Sequence, residues 1–469
     1  MSRSAGHRSV RLRTRHVLVV LVLMCSMCTA SAQPEVPPGI GPLPDPLKGA
    51  KSGAIVNTNH SALYRKLLPP EIAELLDVGE FQFEAMLQPR EPERWTSPKP
   101  TSTDAFEVMT SGELRGVPHS GLRSRMFEVP SVPQGDMKQL AYKVLWNSTG
   151  TIAQMKLIAE RIKVGIFHRA DAAPYWLEFL VERIYPLALG ESPGTEKPLF
   201  REKIAAIKPP ALEKLSWLTL RFFGGGEDFV WAASPMINSI RQMTGSNRSD
   251  AIFSRIFAPD DLFVWSGKNE LIDATAISVQ QLLVPIFEGR EASSERRESC
   301  VVKSFERDAE IQSNADSKRF PGAGAWVPTN TVMVLRNVWR VELSSRDPYT
   351  NDARQAVYVD VESGLPVYKI VWDQAGRATK VVMGLLRSVV SEERGSYAAW
   401  AGEYVIYPGD GARVALLVEE ASQCDAAIKG REIRDFDPSS FVVFESSGGR
   451  AEASDKKPET RQTGSDVLD

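Results

Sequence analysis

Alternation of apolar and polar positions dominates the C-terminal half. Thr331 to Ser344 alternates through Val332, Val334, Val338 and Arg340, and the next run repeats it at Val357, Val359 and Val361. Ser363-Gly364 turns the chain into 365–372, and Asp373-Gln-Ala-Gly376 turns it again into Arg377 to Met383. Period-two runs joined by short Gly- and Asp-containing turns predict an antiparallel meander. Strands at 396–407 and 413–418 extend it. Further upstream, Leu215 to Phe223 and Asp228 to Ala232 flank Gly224-Gly225-Gly226, which reads as a hairpin.

The remaining pattern is less regular. Ile158, Ile162 and Ile166 suit a helix by their spacing of four, while Ile162, Val164 and Ile166 suit a strand by alternation. Both readings of Ile152 to Val164 stand, and Tyr175 to Tyr185 is equally two-sided. Short helices are expected at Pro70 to Leu76, with Pro in the first turn, at Arg201 to Leu212 and at Gln280 to Phe287. The sum is an α+β chain, mainly antiparallel β, with one dominant sheet. No internal repeat at solenoid periods is present.

The first residues have a different character. Arg3, Arg8, Arg11, Arg13 and Arg15 precede the uninterrupted apolar run Val17 to Met24, and Ala30-Ser31-Ala32 follows. This is the three-part pattern of a secretion signal, with cleavage expected after Ala32. Its core is shorter than the ~20 apolar residues a membrane span needs. Lipidation at Cys25 or Cys28 is the weaker reading, because Val22-Leu23-Met24 lacks the small residues expected before a lipidated cysteine. The expected organisation is signal peptide 1–32, a Pro-rich extended wrapping segment 33–127, a main domain 128–445 and a polar disordered tail 446–469.

Charge and composition narrow the function. The signal carries five of the 56 basic residues and none of the 59 acidic ones, leaving 437 residues with net charge −8. That balance excludes a nucleic-acid partner, which needs a basic stripe. Cys300 and Cys424 remain after cleavage, an even count that suggests one disulfide in an oxidising compartment.

Sites for chemistry are sparse. After cleavage only His60, His119 and His168 remain, with no ligand spacing, so no metal is expected. Gly224-Gly225-Gly226 lacks the Lys-Ser/Thr of a phosphate loop, and no Gly-x-Ser-x-Gly elbow is present. No cofactor is expected, and a non-enzyme is the leading reading. Ten tryptophans, most on expected strands, offer either an ordinary core or an apolar ligand cavity.

The residues then carry a resemblance. Trp217-Leu-Thr-Leu-Arg-Phe-Phe223, Asp228-Phe-Val-Trp231, Ile240 to Asp250 and Phe257 to Lys268 resemble exported proteins of the outer-membrane lipoprotein-sorting type of Gram-negative bacteria, which are similar in fold to the LolA and LolB lipoprotein carriers. The likeness covers about 128–390 and is most specific at 228–268. Here Trp231 is followed by Ala-Ala-Ser-Pro-Met236, and of an arginine-rich run only Arg241 and Arg248 remain. The resemblance implies a half-open curved β-barrel with helices or loops covering its concave face. It implies a periplasmic protein, free or peripheral to the outer membrane, that binds or transfers a hydrophobic ligand or the acyl chains of a lipoprotein. Candidate ligand residues are Trp217, Phe222, Trp231, Arg241, Arg248, Trp265, Trp339 and Trp372. For Arg248 the leading alternative is structural, an ion pair with Asp260 or Asp261. Two other functions stand: an adaptor in an envelope transport assembly, docked on an inner-membrane exporter or an outer-membrane component, and an exported hydrolase built around His119 or His168.

Overall fold

A computed structural model describes residues 49–89, 95, 107–116, 126–130, 133–153, 157–168, 174–185, 198–213, 215–234, 239–252, 256–288, 291–297, 300–305, 311–313, 326–391, 395–409, 411–424 and 433–439. The expected signal peptide, the polar tail and His119 lie outside these residues. Every element below belongs to the unit running from Pro46 to Asp469.

The N-terminal part supplies β1 (Ala54–Val56), helix α1 (Pro70–Asp77), β2 (Phe83–Met86) and a small hairpin of β3 (Glu107–Val108) and β4 (Leu114–Arg115). Pro70 occupies the first turn of α1, where its missing N–H removes no helical bond, as the sequence predicts. Helix α2 (Met137–Ala153) is capped by Asp136, whose carboxylate accepts from the N–H groups of Lys138 and Gln139.

Strands follow: β5 (Leu157–Phe167), β6 (Tyr175–Ile184), β7 (Pro198–Lys208), β8 (Ser216–Phe222), β9 (Phe229–Ser234) and β10 (Ser239–Met243). After 244–252 and 256–271, which form no strand, come β11 (Ile272–Phe287), β12 (Glu291–Arg297), β13 (Cys300–Phe305), β14 (Ile311–Ser313) and β15 (Trp326–Pro328). The C-terminal meander is β16 (Thr331–Ser345), β17 (Arg354–Asp360), β18 (Pro366–Trp372), β19 (Ala378–Ser391), β20 (Gly395–Tyr407) and β21 (Ala412–Cys424).

The two-sided stretch 152–164 resolves into both answers, with α2 ending at Ala153 and β5 beginning at Leu157. Two expectations are corrected. Arg201–Leu212 is not a helix: it is most of β7, then a 3-10 turn at Pro210–Leu212. Gln280–Phe287 is the second half of β11, buried on both faces from Leu282 onward, so it shows an apolar run without a period.

Among the described residues, 17 strands join one large sheet. Its antiparallel path runs β10-β9-β8-β7-β6-β5-β21-β20-β19-β18-β17-β16-β11. The hairpin β12–β13 joins through β13 to the C-terminal half of β21. Strand β2 runs parallel to β16, and β11 meets β19 at one parallel pair, Ile286 with Leu386. The sheet is large and curved, mostly antiparallel, with few helices, and does not close into a barrel. Its most enclosed strand is β18, where all seven residues are buried.

Helix α2 lies against β11 and is pinned by polar bonds as well as packing. Tyr142 donates to the Ile272 carbonyl, Trp146 Nε1 to the Gly112 carbonyl and Ser148 to the Gly364 carbonyl. Gly364 and Gly376 adopt φ of 72° and 78°, the left-handed turns expected after Ser363 and Asp373. Among the described residues, no helix is long and apolar enough to cross a membrane.

Candidate functional site

Strand β8 sorts its side chains sharply. Residues directly opposite in an antiparallel pair share a face, and neighbours along a strand alternate. Leu218 lies opposite Trp231 and Leu220 opposite Phe229, so these four, with Phe222, face one way. Thr219 and Arg221 face the other way, together with Glu202 of β7, opposite Thr219, and Arg183 of β6, opposite Glu202.

The second face is charged and buried under residues 244–252 and 256–271. Arg248, 1% exposed, donates from Nε to Asp260 at 2.7 Å and from Nη1 to Glu202 at 3.0 Å and Thr219 at 2.7 Å. Arg183 holds the other Glu202 oxygen, with Nε at 2.9 Å. Arg221 Nε binds Asp228 at 2.8 Å, and Lys268 reaches the Gly226 carbonyl at 2.5 Å. Burial alone would raise the Glu202 and Asp228 carboxyls. The surrounding arginines, joined at Asp228 by Lys268, outweigh it and hold both below the usual carboxylate range. Glu270 has weaker support: burial pushes it up to about 7 against the opposing charge of Lys268.

Asp261, next to Asp260, belongs to a second network. It accepts from Lys369 at 2.8 Å and Lys380 at 2.9 Å, and Asp352 accepts from the same two lysines. The short 3-10 turn Pro259–Asp261 therefore ties two clusters together. Just beyond it, Phe263 and Val264 take φ of 59° and 66°. A β-branched residue in that region is strained, by about 1–3 kcal/mol. The Val264 N–H donates to Glu403 at 2.7 Å, and Gly384 makes room, because a Cβ there would lie 2.5 Å from Val264 Cγ2.

Two small cavities border these networks. One of about 50 Å³ lies among Asp228, Asp260, Trp265, Lys268, Asp352 and Lys369; another of about 20 Å³ lies among Trp146, Arg183, Phe200, Arg221, Trp265 and Lys268. An apolar cavity that takes up benzene has about 150 Å³, so these hold water-sized occupants and not an acyl chain.

The first face of β8 is apolar and part-open. Phe222, Phe229 and Trp231 form a ladder of edge-to-face rings, with centroids 5.3 and 6.0 Å apart. Phe229 is 47% exposed, and Phe222, Trp231 and Ile240 are half-buried. Phe222, Trp231 and Ile240 pack on Ile184, Leu218, Leu220, Phe436 and the bonded pair Cys300–Cys424. The disulfide suggested by the cysteine count is thus present, joining residues directly opposite on β13 and β21.

The eight candidate ligand residues do not converge. Phe222 and Trp231 share the aromatic ladder. Trp217 and Arg241 lie on the opposite face, half-buried and exposed respectively. Arg248 takes the structural alternative, paired with Asp260. Trp265 is buried beside both small cavities, Trp339 is buried on β16 between Val279 and Val359, and Trp372 donates to Glu71 at 2.9 Å. Among the described residues, no group of three or more His, Cys, Asp or Glu could hold a metal ion. Sequence reasoning missed Glu202, Thr219, Asp228 and the lysine–aspartate cluster, and no local signal marks them.

No family model matches the chain, and no curated protein matches it. Solved structures do resemble it. A domain from Vibrio parahaemolyticus, described as an outer membrane lipoprotein-sorting protein, is 12% identical with a TM-score of 0.41, over 64% of this chain and 99% of that one. A DUF1329 family protein from Desulfovibrio piger has the same identity and TM-score, over 64% and 97%. A LolA superfamily protein from Nitrosomonas europaea is 10% identical with a TM-score of 0.33, over 62% and 98%.

Proposed function

We propose that this chain binds a hydrophobic, lipid-like molecule outside the cytoplasm and carries it without covalent chemistry. The observation that supports this most directly is the ladder Phe222–Phe229–Trp231, an aromatic sheet face left part-open beside β10. Each methylene moved from water onto such a surface contributes about 0.8 kcal/mol, so a dozen contribute about 10 kcal/mol before the cost of immobilising the ligand. The occupant is a free lipid or the acyl chain of a lipoprotein. Export is supported by the signal pattern ending at Ala32 and by a disulfide, which persists in oxidising compartments such as a periplasm.

The test is titration of the intact exported protein with a fluorescent fatty acyl probe, beside Phe229→Ala and Trp231→Ala. Loss of one ring is expected to weaken binding about 5- to 30-fold, at about 1–2 kcal/mol per aromatic contact. Unchanged thermal melts exclude unfolding as the reason. A wild-type protein that takes up no probe, yet is crosslinked through Phe229 to an envelope protein in cells, would leave the adaptor role in its place.

A further inference from the structure

Arg387 stands apart from the other deeply buried arginines. Arg183, Arg221, Arg248 and Arg336 each donate to at least one carboxylate, and Arg413 donates to Glu80. Arg387 is 2% exposed, and its Nε and Nη1 have no hydrogen-bond partner. Its Nη2 makes one long bond, 3.4 Å, to the Val418 carbonyl. The guanidinium lies 3.4 Å from the ring centroid of Phe305 and 5.5 Å from that of Phe287. The acidic group that acts on it most strongly is Glu160 of β5, itself buried with Oε2 unpartnered. Burying a cation this way costs several kcal/mol unless something supplies the missing acceptors.

We propose that Arg387 and Glu160 form the polar end of a binding site for an amphiphile bearing a carboxylate or phosphate oxyanion, with Phe287 and Phe305 as its apolar walls. The vacant guanidinium N–H groups are charge-assisted donors, and the two rings accept the carbon chain next to the head group. The site is distinct from the aromatic ladder, since strands β20, β21, β5, β6 and β7 lie between β19 and β8 in the sheet, although β13 carries Phe305 at one end and Cys300, on which the ladder packs, at the other.

Protonation states fit an oxyanion. Burial, opposed by the charges of Arg387 and Arg183, pushes Glu160 up to about 8, so at neutral pH it keeps its proton and acts as a second donor. Burial pushes Arg387 down to about 9, opposed by Glu160 and Glu291, and it stays cationic at neutral pH. Glu403 also senses the Glu160 charge, and burial raises it well above the usual range. Affinity for an oxyanion therefore falls as pH climbs through 8 and Glu160 ionises.

The experiment is calorimetric titration of the intact protein with decanoate, decanol and inorganic phosphate. Decanoate is expected to bind, and Arg387→Gln to weaken it about 10- to 100-fold, the worth of a charge-assisted bond. Arg387→Lys should restore most of the affinity, while decanol binds wild type and Arg387→Gln alike. Glu160→Gln, an isosteric donor, should keep decanoate affinity flat from pH 6.5 to 8, where wild type already weakens and Arg387 is still mostly cationic. Phosphate binding that Arg387→Gln abolishes would support the oxyanion assignment and name the free ion as an occupant. Equal decanoate affinity in wild type and Arg387→Gln, or no binding of decanoate or phosphate by wild type, overturns the proposal. Failure of the ladder reading is seen separately, as Phe229→Ala and Trp231→Ala proteins that bind acyl probes like wild type.

Discussion

At the scale of single residues, the molecule is marked by charges placed inside it, and they fall into two classes. Glu202, Asp228 and Asp352 are held below the usual range by arginines and lysines that outweigh their burial. Glu160, Glu270 and Glu403 are raised because burial wins. Glu270 makes the difference measurable. Its folded pKa is about 7 against an ordinary 4.5, so its contribution is complete below pH 4.5 and is lost as pH rises through 7. The full span is about 3 kcal/mol at 1.36 kcal/mol per pKa unit. Glu270→Gln keeps an acceptor for the Gly224 N–H, which the native carboxylate binds at 3.0 Å, and removes the titration. Urea denaturation should find the two proteins equal near pH 5 and the Gln protein more stable by about 1–3 kcal/mol at pH 8. Parallel stability curves across that range would refute the assignment.

At the scale of elements, the hairpin β12–β13 depends on one strand pairing. Among the described residues it reaches the sheet through β13 and β21, where Cys300–Cys424 fixes the register. The bridge spans 124 residues of sequence, and the loop-entropy model assigns such a closure about 4–5 kcal/mol, with measured values about 2–5 kcal/mol. Replacing both cysteines by serine should lower stability by that amount and make β12–β13 the first site of limited proteolysis. Unchanged stability and an unchanged cleavage map would show that strand pairing alone holds the hairpin. How legible each element was in the sequence follows the same logic. Val357 and Val359 alternate with Tyr358 and Asp360 although both faces of β17 are buried, because Asp360 is neutralised inside by Arg336, and the turns at Gly364 and Gly376 need left-handed backbone. Arg201–Leu212 misleads because Glu202 points into the protein, where Arg183 and Arg248 neutralise it, so the polar positions of β7 include an interior one. The candidate site is less legible still. The pairing of Arg248 with Asp260 spans 12 residues and could be anticipated, whereas Arg248 with Glu202 spans 46, and Lys380 with Asp261 spans 119. Contacts at such separations are created by strand order and leave no local pattern. Nothing at Arg387 in sequence distinguishes it from the buried arginines that meet a carboxylate.

At the scale of the whole molecule, the long sheet is unevenly secured. Strand β18 is buried along its whole length between β17 and β19, while β10 has no fully buried residue and pairs with β9 alone among the described strands. Local opening free energies follow buried contacts, so they should climb from the β9–β10 margin towards the C-terminal meander. That gradient places the aromatic ladder on the part of the sheet that opens most cheaply, which suits a surface that must admit and release a hydrophobic occupant. Native-state hydrogen exchange checks it. Amides of β9 and β10 should exchange through local opening, several kcal/mol below the global unfolding free energy, and β17–β19 should exchange only through global unfolding. Addition of an acyl ligand should slow exchange at β9–β10 while leaving the β18 rates at their global limit. If β10 proves as protected as β18 in the free protein, the margin is rigid, and a gated aromatic face no longer follows from the fold.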